Sequence, residues 1–221
     1  MKVTLVSHSQ PSAELQAQGI TDAQELVAYC ARVSNPGNQT NVETSEKLIR
    51  YLIRHGHWSP LEMVSVCLEI ETTRDIARQI LRHRSFSFQE FSQRYAVADL
   101  DFELREARLQ DTNNRQNSID TDNQYIHDTW AYAQAAVEEQ VKKAYTWALE
   151  NGIAKEQARA VLPEGMTASR LYMQGTLRSW VHYIELRSGH GTQLEHQQIA
   201  LACADTIQPI FPMIKEFVAT K

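Results

Sequence analysis

The stretch ARQILRHRSFSFQEFSQRY, residues 77 to 95, decides how the chain is read. At about 100° per residue, Ile76, Ala77, Ile80 and Leu81 fall on one side of a helix over 74–83. Arg78, Gln79, Arg82 and His83 fall on the other. Such a helix buries one face and shows a polar, cationic one. It leads into SFSFQEFSQRY, a loop rich in aromatics and hydroxyls that carries Glu90, Ser92 and Arg94. The chain has a formal net charge of −5, so the concentration of Arg82, His83, Arg84 and Arg94 is local. Local guanidinium in an acidic chain points to a bound anion, because the rigid fork of arginine donors matches phosphate oxygens in pairs. The plainer alternative is a solvated helix end with incidental arginines.

Outward from this stretch the chain alternates between the two periodicities. Residues 2–8 read as a strand, and 21–33 as a helix opened by Thr21 with Asp22 and Glu25 in its first turn. A second helix covers 43–55, with Leu48, Ile49, Leu52 and Ile53 as its apolar face. MVSVCLEIETT, residues 63–73, alternates with period two and reads as a half-buried strand. Residues 99–123 are polar and mixed in charge and read as a mobile surface excursion. A long helix over 121–150 stops at Asn151-Gly152, and a shorter one over 154–161 stops before Pro163. A strand over 167–174 and helices over 176–187 and 193–207 complete the pattern, which Pro209 and Pro212 break. There is no repeat, no linker and no sign of a second domain.

Composition removes several classes of function. At 221 residues the chain is long enough for one sizeable core. No run approaches the roughly 20 apolar residues that span a bilayer. The N-terminus lacks the apolar stretch of a signal peptide, so the cytoplasm is the expected location. Mild acidity argues against a general nucleic-acid binder. Cys30, Cys67 and Cys203 are scattered among apolar neighbours and read as small buried hydrophobes, with no zinc site and no obvious thiol nucleophile. Gly189-His190-Gly191 is not a dinucleotide turn, and no P-loop is present. Ser92 reads as a ligand-bonding hydroxyl rather than an activated nucleophile. On the helix over 176–187, Arg178, His182 and Glu185 share one stripe, and Leu177, Val181 and Ile184 another. On spacing alone these are a partly exposed polar face. Arg187 in the last turn then merely complements the helix dipole, and Arg159 and His57 are unremarkable.

A family resemblance gives these residues a common purpose. Arg82-His83-Arg84, seven residues and Ser92 resemble the R-H-R-x7-S signature of the flavin-dependent thymidylate synthases, and the likeness continues through Gln93-Arg94-Tyr95. ARVS (31–34), HGHWSP (55–60), ARQILRHR (77–84), ARAVLP (158–163) and LRSWVHYIELR (177–187) resemble further blocks of the family in the same order. The likeness covers nearly the whole chain and is faintest over 99–123.

The resemblance implies methylation of dUMP to dTMP, with methylenetetrahydrofolate as carbon donor, FAD as redox carrier and NADPH as reductant. It implies a homotetramer with sites assembled from several subunits, and no enzyme cysteine acting on the uracil. By position, Ser34, Ser59, Arg82, His83, Arg84 and Glu90 resemble FAD contacts, as do Arg178 and His182, and His57 matches a histidine near the flavin. Thr176 stands where Asn is frequent, which keeps a hydrogen-bonding hydroxyl at a flavin contact. Gln79, Arg82, Glu90, Ser92, Gln93, Arg94 and Arg159 resemble the dUMP site, with Gln93 where Gly is common. Arg187 matches the arginine set against the pyrimidine, which favours ionised N3 and so activates C5. The expected fold is one α/β (α+β) domain over 1–221, a central mostly antiparallel sheet flanked by helices, with a long helix in the second half. No metal, membrane or nucleic-acid partner is expected. A flavoprotein oxidoreductase without methyl transfer and a nucleotide- or RNA-binding module are the alternatives.

Overall fold

In the computed structural model, which describes residues 1–219, the period-two segments pair into one antiparallel sheet. The strands are β1 (Lys2–His8), β2 (Ser65–Thr73), β3 (Ser87–Glu90) and β6 (Ala168–Thr176), in the order β1-β2-β6-β3. A two-stranded ribbon, β4 (Leu109–Gln110) with β5 (Ser118–Ile119), stands apart. Alternation sorts the central strands into two faces. Val66, Leu68 and Ile70 of β2 and Leu171 and Met173 of β6 are fully buried, and the register sets Leu68 against Met173 and Ile70 against Leu171. β1 slips register between Leu5 and Ser7.

The helices are α1 (Ala13–Ala17), α2 (Ala23–Ala31), α3 (Ser45–Arg54), α4 (Arg74–Ile80), α5 (Gln124–Glu150), α6 (Lys155–Ala158), α7 (Leu177–Arg187) and α8 (Leu194–Ile207). α2 starts at a capping box: Asp22 accepts from the Glu25 amide and Glu25 accepts from the Asp22 amide. α5 ends at Asn151, and Gly152 then takes φ +77°, a left-handed conformation that glycine adopts without strain. These boundaries follow the sequence reading closely.

Two helices matter for the site, and both spring directly from strands. α4 follows β2 after Thr73, and α7 follows β6 after Thr176. Thr73 pairs with Ala168 and Ser65 with Thr176, so the helices leave from opposite ends of the same ladder. α7 buries Leu177, Trp180, Val181, Tyr183 and Ile184, and the Trp180 indole N–H donates to the Val66 carbonyl at 3.0 Å. α8 covers the same core with Ile199, Ala200, Cys203, Ala204 and Ile207.

Three segments differ from their sequence reading. The helix expected over 74–83 stops at Ile80, and tight turns carry the chain on, with His83 N–H donating to Ile80 O at 3.0 Å. The expected loop SFSFQEFSQRY contains β3, a four-residue edge strand paired to β6 from Ser87↔Gln174 to Glu90↔Leu171. The excursion at 99–123 is tied down: Gln134 of α5 accepts from the Arg105 amide at 2.7 Å and donates to its carbonyl at 2.9 Å. Paired backbone bonds of this kind hold a loop as a strand ladder does.

Phe86 joins the turn to the core. Its ring meets Trp180 edge-on at 4.8 Å and Tyr183 at 6.0 Å. It occupies the space where a side chain at residue 175 would lie, since a Cβ on Gly175 would sit 2.4 Å from the Phe86 ring. Gly175→Ala is therefore expected to lower stability by roughly 1–3 kcal/mol through overpacking, read as a shift in the urea midpoint. Adding Phe86→Leu should make the pair less than additive, and full additivity would contradict the close approach.

Candidate functional site

The C-terminal ends of α4 and α7 meet through two side chains. Arg187 Nε–H donates to His83 Nε2 at 2.9 Å. The His83 ring packs edge-on against Tyr183 at 4.9 Å. Burial, then the charges of Arg187 and Arg82, lowers the His83 pKa from 6.5 to about 4. The imidazole is thus neutral near pH 7, and because Nε2 accepts, its proton sits on Nδ1. Among the described residues no carboxylate lies within 4 Å of Arg82, Arg84 or Arg187, although most arginines of this chain have one. Gln79, one turn before His83, lies at the same junction and donates to Gln193 at 2.7 Å.

A second group forms where a 3-10 turn (Ser59–Met63) packs on the first turns of α7. The Trp58 ring lies 4.5 Å from His182, and Arg178 pairs with Glu62. Thr176 caps α7 by accepting from the Ser179 amide at 3.3 Å, so part of its hydroxyl's capacity is already used. His57, Ser59 and Ser34 are exposed nearby in sequence to elements that pack together, and none has a side-chain hydrogen bond among the described residues.

A third group lies beyond β3. Glu90 is held by Arg78 at 3.3 Å, Arg74 at 3.7 Å and the Ser169 hydroxyl at 2.9 Å, so it braces α4 against the sheet. Ser92 and Arg94 are exposed; Arg94 pairs with Glu156 at 3.4 Å, and Arg159 donates to the Glu156 carbonyl at 3.3 Å. Gln93 is 4 % exposed, and among the described residues its Nε2 has no partner. An orphaned buried donor carries a desolvation cost that a ligand acceptor would remove. Among the described residues no hydrogen bond or ion pair links Ser92, Gln93, Arg94 or Arg159 to His83 or Arg187.

These features fit an anionic dinucleotide and a phosphate monoester. Among the described residues Arg82 and Arg84 have no ion-pair partner, and Gln93 offers an unused amide, in a chain of net charge −5. The thiols do not fit nucleophilic work. Cys203 is wholly buried with its pKa raised by burial, and burial raises Cys30 and Cys67 as well. A cavity of about 1330 Å³ lies between the β4–β5 ribbon and residues 188–194; Arg108, Arg115 and Gln193 form part of its wall, and Arg82, Arg84 and Arg187 do not. Sequence reasoning missed Tyr183, Gln193 and His196 around Gln79, and Arg105, Arg108 and Glu195 behind them. Each reads locally as ordinary helix or loop, and only the fold brings them together.

Comparison with known proteins agrees with this chemistry. The family profile described as "Thymidylate synthase complementing protein" matches residues 17–213. A probable flavin-dependent thymidylate synthase of Paramecium bursaria Chlorella virus 1 is 49 % identical over 214 residues, covering 97 % of each chain. A flavin-dependent thymidylate synthase of Synechocystis sp. is also 49 % identical with 97 % of each chain covered. Among solved structures, a UMP/dUMP methylase from Streptomyces cacaoi, bound with 5-Br dUMP, superposes with TM-score 0.82 at 27 % identity, covering 98 % of this chain and 93 % of that one.

The half-buried histidine at the helix junction gives a pH test. Its folded pKa of about 4 lies below the ordinary 6.5, so the unfolded chain takes up this proton first. Stability present above pH 6.5 is expected to fall as pH drops towards about 4. His83→Gln should flatten that part of the thermal-midpoint profile relative to the unsubstituted protein, and an unchanged profile would contradict the half-buried neutral imidazole.

Proposed function

The chain belongs to the flavin-dependent thymidylate synthase family and converts dUMP to dTMP, and from that premise we propose how its residues divide the work. Bound FAD supplies the redox chemistry, with NADPH as reductant and methylenetetrahydrofolate as carbon donor. Arg187 acts on the pyrimidine. His83 fixes its Nε, which leaves the rest of the guanidinium to face the uracil, where it stabilises negative charge as N3 ionises and C5 becomes nucleophilic. The neutral His83 adds no competing charge of its own and retains an Nδ1–H donor.

Ser92, Gln93, Arg94 and Arg159 cradle the nucleotide phosphate, which carries close to two negative charges. Gln79 and Arg82 serve the same nucleotide. Arg82 and Arg84, with His83, are the cationic donors for FAD, and Ser34, His57, Ser59, Thr176, Arg178 and His182 form its outer wall. Glu90 serves both ligands by holding Arg78 and Arg74 in place. The observation that carries the reading is the Arg187–His83 bond: a fixed guanidinium with no carboxylate to neutralise it among the described residues.

The reading includes a single domain over 1–221 and a homotetramer whose sites draw on several subunits. Support for assembly comes from α5. Of its 27 residues only Gln134, Tyr145 and Ala148 are buried, while Tyr125, Tyr132 and Trp147 are 77 %, 77 % and 60 % exposed. Apolar surface of this extent marks a contact face. Among the described residues no helix is long and apolar enough to cross a membrane. The three cysteines are free thiols, which suits the proposed cytoplasmic location.

The test is the visible spectrum of the purified protein before and after dUMP is added. A flavin spectrum that shifts with dUMP is expected, and a protein that stays colourless after FAD is added would overturn the site. Arg187→Ala is expected to spare FAD binding and cut dTMP formation by at least about tenfold. Arg94→Ala should weaken dUMP binding more than FAD binding, as titrations of each ligand would show.

A further inference from the structure

Gln79 is the middle member of a hydrogen-bonded row whose polarity is fixed from one end. The row begins at Glu195, which is 7 % exposed and paired with Arg108 and, at 3.3 Å, with Arg105. Burial opposes its charge, but its own backbone amide, Gln193 and the two arginines outweigh that and lower its pKa. An ionised carboxylate only accepts. Gln193 must therefore turn its NH2 to Glu195, at 2.9 Å, and its oxygen to Gln79. Gln79 must then donate to that oxygen, at 2.7 Å, and turn its own oxygen to His196. His196 must carry its proton on Nδ1 to reach Gln79 Oε1, at 3.2 Å, which leaves Nε2 bare. Tyr183 O–H donates to Nε2 at 3.1 Å and closes the row.

The far end of the row cannot reverse this order. His196 is fully buried, and burial, then the charges of Arg187 and His83, lowers its pKa to about 3. Tyr183 is also buried, and burial keeps its hydroxyl protonated. A second proton on His196 would bury a positive charge beside Arg187 and His83. The amide of Gln79, which sequence gives no reason to point either way, is thus locked with one N–H and one oxygen lone pair left over.

We propose that Tyr183 and His196 are positioning residues for Gln79, and that the row from Glu195 to Tyr183 sets which edge of the Gln79 amide meets the nucleotide. The assignment extends the site to Arg105 and Arg108 of the segment 99–123, which anchor the row. It rests on the placing of Gln79 in the dUMP site. The part of the ligand read by this amide is an acceptor oxygen, such as a uracil carbonyl or a phosphate oxygen, facing the spare N–H.

Steady-state kinetics on the FAD-loaded enzyme test the proposal. His196→Leu is expected to raise the KM for dUMP by about fivefold to tenfold while leaving kcat and FAD content nearly unchanged. His196→Asn, which returns an N–H near the place of Nδ1, should recover most of the loss, whereas a merely structural role would favour the apolar replacement. In a Gln79→Ala background, His196→Leu should add nothing further. An unchanged KM in His196→Leu, or the same increment with Gln79 absent, overturns the row alone. Gln79→Ala with an unchanged KM overturns the placing of Gln79 and the row with it. If His196→Leu does not fold, Tyr183→Phe is read instead: a smaller rise in the same KM is expected, and no rise overturns the proposal.

Discussion

Phe86 packed against a residue with no side chain is the constraint from which the cationic turn takes its shape. Arg82 and Arg84 repel one another and are best hydrated apart, so nothing in the turn itself holds them together. The holding force is apolar and lies two residues further on. Phe86 enters the gap over Gly175 and joins Trp180, Tyr183 and His83 in one aromatic cluster. The Trp180 bond to the Val66 carbonyl ties that cluster to the middle of the sheet. Core packing thus fixes the geometry of an otherwise solvated run of charge, and the turn after α4 is held against α7 by the same contacts.

Periodicity made most of the fold legible. The apolar alternation of 63–73 and 167–174 gave the two central strands, and their pairing in one antiparallel sheet is as expected. Caps did well where the chemistry is local: Asn151–Gly152 ends α5 as read, while the start of α2, read at Thr21, is capped one residue later by Asp22 with Glu25. β3 was not legible, because SFQE is four residues long and its strand character comes from β6 alongside it. The end of α4 was misjudged because Leu81, Arg82 and His83 continue the helical pattern, while Phe86 needs the chain to turn. The arginine cluster could be read from sequence, since the net charge of the chain makes it conspicuous. Its neutral counterpart could not: Gln79, Gln193 and His196 are linked across 117 residues, and an amide carries no periodic signal.

The segment over 99–123 shows how polar loops acquire structure without a core of their own. Arg105 reaches Asp75 at the start of α4 and Glu195 at the start of α8, while its backbone is clamped by Gln134 of α5. Ion pairs between exposed groups are worth little, but Arg105, Arg108 and Glu195 are largely withdrawn from water and share partners. Three helices are thereby referenced to one loop. The cavity beside this loop, walled in part by Gln193, abuts the same polar row.

The ladder between β2 and β6 also governs when the site comes into being. Residues 74 to 167 all lie between the two strands it joins. Closing so long a stretch is an entropic burden on the folding barrier, and pairings of high contact order form slowly. α4 departs from one strand and α7 from the other, so neither the arginine turn nor its histidine partner has a fixed place until the ladder closes. During synthesis this cannot happen before residue 176 has left the ribosome. The early chain therefore carries its phosphate-seeking arginines unformed, and the competence to hold a nucleotide arrives in a single late event rather than by degrees.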